Sequence, residues 1–326
     1  MSRYLVAGAA GFIGARVCSL LVEQGNQVVG IDNVNDAYDT TLKYHRLELL
    51  RQFEQFEFHQ LDICQRDQIS ELFARGPGYD GVINLAARAG VRPSVEDPWI
   101  YFDANLTGTL NLLDACVKWE VEKFVLASTS SLYGESDDQP LHEELPSDRP
   151  ISPYAASKKA AEVLCYTYHD LHGLDITVFR FFTVYGPAGR PDMSVFRFVQ
   201  WISEKRPVLI FGDGSQSRDF TYIDDVARGT ILGLKKVGYE IINLGSDEPV
   251  TVNDVVRQIE ELTGEKAQLV FQPRHRADVM RTWADVRKAR ELLGWQSQWA
   301  FEKGVKSMVE WYQANREWAR EIRTGE

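Results

Sequence analysis

The stretch YLVAGAAGFIGARV, Tyr4 to Val17, runs from a short apolar strand through glycines at 8, 11 and 14 into a helical pattern. Glycines at that spacing let a turn tighten and let backbone approach a pyrophosphate, which then rests on the helix N-terminus. Small residues there can also serve only to pack a helix against a strand, so the motif needs context. The next apolar run, VVGIDN, puts Asp32 eighteen residues beyond Gly14, where a carboxylate can accept from both hydroxyls of a ribose. That carboxylate repels a 2′-phosphate and no arginine follows in NVND, so NAD is expected rather than NADP. Asp62 and Ile63, at the end of a third strand, are placed to frame an adenine, although Asp62 also reads as an ordinary helix cap. Leu85, Ala86 and Ala87 end a fourth strand with residues small enough for a cofactor to pass close.

Working outward, strands are expected in YLVAGA, QVVGID, FEFHQLD, GVINLAA, KFVLAST and DITVFRFF, with helices at 12–24, 40–50, 100–119 and 154–172. Such alternation of helices with near-continuous apolar strands means a parallel sheet covered on both faces. Beyond Gly186 the spacers GPAGRPD and FGDGSQSRD loosen the pattern, and helices are expected at 194–204, 223–234, 252–262 and 304–315. The fold class is α/β, a Rossmann-type doubly wound parallel sheet in residues 1–182 with a smaller C-terminal lobe from 183–215 and 247–326. EIINLG, within 216–246, is expected to return to the sheet as a late strand.

The 326 residues suffice for a large core, and a net charge of −11 argues against nucleic acid or an anionic membrane as partner. Any anionic ligand must then be met by local cations. Cys18, Cys64, Cys116 and Cys165 form no CxxC pair, which points to buried thiols in a reducing compartment rather than to disulfides or zinc. MSRYLVAGAAG enters a strand directly, and no apolar run reaches the ~18 residues of a membrane span, so the expected location is the cytoplasm. No metal site is expected. His169 and His172 lie three apart without further ligands and fit a helix end instead.

Tyr154 and Lys158 in SPYAASKKAAE are spaced i, i+4 on one helix face. In isolation that is a tyrosine packed over a lysine stem. Here it follows a dinucleotide pattern and a strand ending in hydroxyls, Ser128, Thr129, Ser130 and Ser131. Order and spacing resemble the short-chain dehydrogenase/reductase superfamily, and the length and late lobe resemble its extended branch. Free tyrosine, with pKa ~10, is a poor base, and moving it to near 7 takes about 4 kcal/mol. An ammonium about 4 Å away acts on that scale at an effective dielectric near 20, and a nicotinamide cation adds to it. Tyr154 is the expected base and Lys158 its activator, with Thr129 or Ser130 holding a substrate hydroxyl.

Over essentially the whole chain the resemblance narrows to nucleotide-sugar epimerases. AGVRPS, TVYGPAGRPDM and RDFTYIDDVARG are most similar to segments of the UDP-glucuronate 4-epimerases. That resemblance implies a tightly bound NAD, regenerated each turnover, and a sugar oxidised at C4, turned over and reduced from its opposite face. It extends the expected cofactor contacts to Phe12, Ile13, Asn33, Asn105 and Phe181. It matches Thr183 and Arg190 to positions that hold the substrate's C6 carboxylate, and Arg218 to a diphosphate contact. Leu209 to Phe211 would face the uracil, Met193 would belong to the substrate side, and Asp278 fits a ribose-binding acid. In PRHRADVMRTWAD the aligned cation is His275, flanked by Arg274 and Arg276, and the sequence does not choose among them. Arg92 is a further sugar-site candidate, or a loop cap.

The demand on Arg190 is stringent. Oxidation at C4 leaves a ketone β to the C6 carboxylate, and such an acid readily loses CO2. A carboxylate gripped by a fork of donors, near the ring plane, cannot align its C–C bond with the ketone π system. The competing readings pair Arg190 with Asp192, and Arg218 with Asp213 or Asp219. Thr129 is followed by Ser130 and Ser131, not by the acidic pair of related 4,6-dehydratases, so dehydration is not expected. Three alternatives stand beside this reading. One is a 4-epimerase of UDP-glucose or UDP-N-acetylglucosamine, against which Thr183 with Arg190 speaks. The second is a UDP-glucuronate decarboxylase. The third is a non-catalytic NAD-binding module, against which the intact Thr129, Tyr154 and Lys158 argue. A homodimer through helices 100–119 and 154–172 is implied by the resemblance.

Overall fold

A computed structural model describes residues 1–325. The strands are β1 (Arg3–Ala7), β2 (Gln27–Asp32), β3 (Phe56–Gln60), β4 (Gly81–Asn84), β5 (Lys123–Thr129), β6 (Asp175–Phe181), β7 (Thr183–Tyr185), β8 (Pro207–Phe211), β9 (Ser217–Tyr222), β10 (Tyr239–Leu244), β11 (Pro249–Thr251) and β12 (Gln268–Gln272). Seven of them form one sheet in the order β10-β6-β5-β4-β1-β2-β3, with every neighbouring pair parallel. This is the α/β doubly wound arrangement that the alternating pattern predicts. Because strand side chains alternate, each strand feeds both faces. Leu5, Val29, Val82, Phe124 and Ile176 pack with Leu112, Cys116 and Cys165 on one side. Val6, Val28, Ile83, Val125 and Phe179 pack with Val17, Leu21, Val226 and Trp295 on the other.

Strand order reverses between β1 and β4, and a cleft opens beyond the carboxyl ends of such strands. The glycine turn shapes its floor. Gly8 has φ +84, and a Cβ on it would lie 2.7 Å from the backbone of Leu85 and Ala86. A Cβ on Gly14 would lie 2.0 Å from the Gly8 carbonyl oxygen, so the Phe12–Glu23 helix sits on the turn only because Gly14 has no side chain.

Beyond β6 the chain builds the second lobe. Helices Ser194–Ser203, Val252–Thr263 and Phe301–Ala314 bury Phe196, Val199, Val255, Ile259, Val305 and Tyr312 with Ile210 of β8. Thr183 lies just past the end of the strand expected in DITVFRFF. β6 ends at Phe181, and Thr183 opens β7, which pairs with β9 in a small β11-β9-β7 sheet. Within 216–246, β9 joins that small sheet while β10 runs parallel beside β6 in the main one.

The helix expected at 100–119 is interrupted. Trp99–Phe102 and Gly108–Lys118 flank a wider π-type turn, Asp103–Thr107. Inside it the Asn105 amide donates to Arg88 O (3.0 Å) and Ser157 Oγ (2.9 Å), and its carbonyl accepts from Arg88 N–H (2.8 Å). Helices Arg66–Ala74 and Arg287–Leu293 and the exposed edge strand β12 were not expected from the pattern. β12 carries five exposed residues, so its sequence lacks the alternation that marks a half-buried strand.

Gly14→Ala should lower the thermal midpoint by an amount matching about 1–3 kcal/mol of overpacking and release bound NAD, read by calorimetry and by cofactor absorbance.

Candidate active site

A cavity of about 1080 Å³ runs along the carboxyl ends of the main strands and under β8. Its wall brings together nearly all the residues singled out from the sequence. They span the glycine loop and Asp32 at one end, Thr129, Tyr154 and Lys158 in the middle, and Arg218 and Asp278 at the other. Asn105 and His275 are exceptions. Asn105 is fully buried behind the wall, bonded to Arg88 and Ser157, and so supports the site without facing it. His275 Nδ1 accepts from Ala277 N–H (3.1 Å), and Arg274 lines the cavity instead.

At the dinucleotide end, Gly11 is the N-cap of the Phe12–Glu23 helix, with no side-chain cap and no acid in the first turn. Unpaired N–H groups and the helix dipole there suit an anion. Asp32 Oδ2 accepts from Ala10 N–H (3.2 Å), and Oδ1 accepts from Val34 N–H (2.7 Å) and Lys43 Nζ (3.4 Å). Asp62 is not a helix cap, since the next helix starts at Arg66 with Gln65 at its N-cap. Its Oδ1 accepts from Cys64 N–H (2.8 Å) and Oδ2 from the Asn33 amide (2.9 Å). Burial pushes the Asp62 carboxyl up, but those hydrogen bonds outweigh it and hold it below the ordinary carboxylate range. An anion-accepting helix end, a carboxylate at the ribose position and a small-residue floor fit NAD.

At the chemical centre, Ser152 caps the Pro153–His172 helix by accepting from Ala155 N–H (3.2 Å), with Pro153 at its first position. That start fixes Tyr154 in the first turn and Lys158 one turn on. Lys158 Nζ donates to Ala127 O (2.8 Å) on β5, two residues before Thr129. Burial lowers the Lys158 ammonium to about 8, with Cys165 and Glu162 opposing it. The lowered pKa expected of Tyr154 includes the charge of a bound nicotinamide, and without that charge the direction is the reverse. Burial raises its phenol above the ordinary value, while the Thr129 hydroxyl and the Arg190 charge pull the other way without prevailing. In the bare protein desolvation of the phenolate wins.

Arg190 does pair with Asp192, but on the cavity wall rather than at the open surface. Nε donates to Oδ1 (3.1 Å) and Nη2 to Oδ2 (2.5 Å), so the acid takes one edge of the guanidinium. Nη2 also reaches Ala89 O (3.5 Å), and among the described residues Nη1 has no partner. Thr183 and Met193 line the same region. Arg92 is no loop cap: its guanidinium grips Asp278 (Nη2 to Oδ2, 2.5 Å) and lies 3.7 Å over the Phe211 ring. Arg218 pairs with neither Asp213 nor Asp219; its Nη1 donates to Ser217 O (2.8 Å) and Met280 O (3.3 Å). Burial drives the Arg218 guanidinium pKa down, and the nearby Arg274 and Arg92 charges add to that against the pull of Asp278 and Glu135. Arg92, Arg218 and Arg274 thus share one wall of the cavity, an arrangement that suits an anion.

The profile of the NAD dependent epimerase/dehydratase family matches residues 4–245. The chain belongs to that family. It is 54% identical over 324 residues to a UDP-glucuronate 4-epimerase of Thermodesulfobacterium geofontis, covering 99% of this chain and 100% of the relative. The crystal structure of UDP-glucuronic acid 4-epimerase from Bacillus cereus with UDP-glucuronic acid and NAD superposes with a TM-score of 0.90. Identity there is 37%, over 96% of this chain and 99% of that one. A UDP-glucose 4-epimerase of Thermotoga maritima, solved with UDP-glucose, gives a TM-score of 0.89 at 33% identity, over 96% and 99%. Backbone likeness alone thus spans acidic and neutral sugars within the epimerase family.

Sequence reading missed Lys43 and Arg46, both buried on the Thr41–Leu50 helix with Leu42, Leu47 and Leu50. The available signal is two cations on the same helical face as the leucines, where a solvated helix would place them opposite.

Two outcomes follow for this family member. Tyr154→Phe should retain NAD and fold while turnover falls about 10²–10⁴-fold, measured in a single-turnover assay. For Lys158, the folded pKa near 8 lies below the unfolded ~10.4. The unfolded chain therefore binds more protons between those values, and stability rises with pH across that window. Lys158→Met should lose that rise, seen by comparing thermal midpoints of both proteins at pH 7 and 9.5.

Proposed function

We propose that this chain interconverts UDP-glucuronate and UDP-galacturonate through a transient 4-keto sugar. The observation that carries the reading is that Arg190 shares a cavity wall with Tyr154, close enough for its charge to favour the phenolate. NAD, when bound, supplies the acceptor and donor of the C4 hydride, and its positive charge adds to the field on Tyr154. Tyr154 takes the proton of the 4-hydroxyl and returns it at the end of the cycle. Thr129, which favours the phenolate by hydrogen bonding, holds that hydroxyl and the phenol in one line. Lys158, anchored on Ala127 O, supplies a nearby positive charge. Arg190 and Thr183 hold the C6 carboxylate, and Arg218, Arg274, Arg92 and Asp278 face the nucleoside diphosphate. A charged partner for the carboxylate is what a UDP-glucose enzyme has no use for.

The reading divides the chain into a cofactor lobe, 1–182 with a return segment in 216–246, and a sugar-nucleotide lobe from the remainder. It also takes the protein to be a cytoplasmic homodimer. Support for the dimer is apolar surface on the Pro153–His172 helix and its neighbour. Val163, Tyr166 and Leu171 are 56%, 53% and 69% exposed, beside a shallow hollow floored by Leu106, Ala156 and Ala160. All four cysteines are free thiols, as a reducing compartment would keep them, and no described helix is long and apolar enough to cross a membrane.

Incubation with UDP-glucuronate, UDP-glucose and UDP-N-acetylglucosamine separately, with products resolved by NMR, should give the C4 epimer of the uronate far faster than the others. A neutral sugar turned over equally well would overturn the specificity. Arg190→Ala should lower kcat/KM for UDP-glucuronate about 10²-fold and release CO2 with a UDP-pentose product. Tyr166→Asp should shift the sedimentation mass from dimer to monomer.

A further inference from the structure

Arg46 is 4% exposed, yet every partner of its guanidinium is a neutral oxygen. Nη1 donates to Ala10 O (3.1 Å) in the glycine turn and to Tyr38 Oη (2.8 Å). Nε and Nη2 both donate to Ala188 O (3.2 and 2.6 Å), and Nη2 donates also to Gly189 O (3.2 Å). The Phe12 and Tyr38 rings lie 5.7 Å away, centroid to guanidinium carbon. Burying a cation without a carboxylate costs several kcal/mol, and only a full set of charge-assisted hydrogen bonds offsets it. The guanidinium therefore joins the Thr41–Leu50 helix directly to the glycine turn and to the 186–190 loop.

The loop it grips is strained. Ala188 has φ +50, a left-handed conformation that an alanine avoids by roughly 1–2 kcal/mol. Such a residue stays there only when its surroundings over-determine it. Ala188 O is the one carbonyl that receives two donors from Arg46, and the chain reaches Arg190 two residues later. Asp192 fixes the guanidinium plane of Arg190 from one edge, and Arg46 fixes the backbone that delivers it.

We propose that Arg46 is a positioning residue for acidic-sugar selectivity: by tying the Ala188–Gly189 carbonyls to the glycine turn, it sets where Arg190 meets the sugar carboxylate. This rests on Arg190 being the carboxylate grip. Arg46 does not line the cavity. Its loss therefore moves Arg190 and leaves binding of the nucleotide diphosphate as it was. A lysine keeps the charge and most of the stem but lacks the fork that spans five acceptor contacts.

The test compares NAD-loaded wild type, Arg46→Ala, Arg46→Lys and Arg190→Ala. Affinities for UDP-glucuronate and UDP-glucose are measured by calorimetry, and the epimer-to-pentose ratio by NMR. Thermal midpoint and NAD content are recorded so that Arg46→Lys carries the test if Arg46→Ala folds poorly. The expected result is that both Arg46 variants cut the preference for UDP-glucuronate about tenfold, toward the Arg190→Ala value, and divert product to pentose. UDP-glucose affinity should stay within about twofold. Equal weakening of both sugars, or an unchanged preference in Arg46 variants where Arg190→Ala loses it, overturns the positioning role. An unchanged preference in Arg190→Ala itself instead removes the carboxylate reading, and the role of Arg46 with it.

Discussion

The active centre depends on one buried ion pair. Glu162 and Arg180 are each 1% exposed. The carboxylate accepts from Arg180 Nε (3.0 Å) and Nη2 (2.8 Å) and from Ser128 Oγ (2.6 Å). Burial disfavours the Arg180 cation, but Glu162 outweighs it and keeps the guanidinium firmly charged. Three elements meet there. Glu162 sits one helical turn beyond Lys158, Ser128 immediately precedes Thr129 on β5, and Arg180 is in β6 next to Phe181. A buried pair gains little over a well-packed apolar cluster, yet removing one partner costs about 3–5 kcal/mol. Its value is geometric, because helix and strands can meet in only one register if all three hydrogen bonds are made. Thr129, Tyr154 and Lys158 inherit their spacing from it.

Charge is distributed in two regimes. The chain as a whole is acidic, at −11, while the cavity gathers Arg92, Arg190, Arg218 and Arg274. Three of these are partly compensated by an acid from the chain itself: Asp278 for Arg92, Asp192 for Arg190, and Glu135 near Arg274. Compensation offsets part of the repulsion among the ligand-free cations. It also fixes their planes, so an arriving anion meets donors that are already oriented and loses less entropy on binding.

Much of this was legible in the chain. The glycine spacing with Asp32 marked one end of the cavity, because a tight turn followed by an acid at that spacing leaves few other residue choices. Tyr154 and Lys158 were legible because a Ser-Pro helix start fixes their phase. Other features were not, for physical reasons. Asn105 belongs to the interior because a wider turn rotates it toward Arg88 and Ser157, and helical periodicity cannot announce such a turn. His275 and Arg274 are adjacent in an irregular loop, where spacing carries no directional information. Arg46 looked like one more cation on a polar helix, since its acceptors come from carbonyls 36 and 142 residues away. The pKa of Tyr154 was argued from pairwise charge alone, and desolvation, which needs a structure to gauge, has the opposite sign.

That sign matters for how such a site avoids idle chemistry. A phenol raised by burial is a poor base until positive charge is added beside it. Arg190 is a cation of the chain whose charge favours the Tyr154 phenolate, and that charge is shared with Asp192. Under the proposed function the cofactor's charge completes the activation, so proton abstraction from the sugar is tied to the presence of the hydride acceptor. An oxidation half-reaction begun without its acceptor would be unproductive, and desolvation of the phenolate works against it.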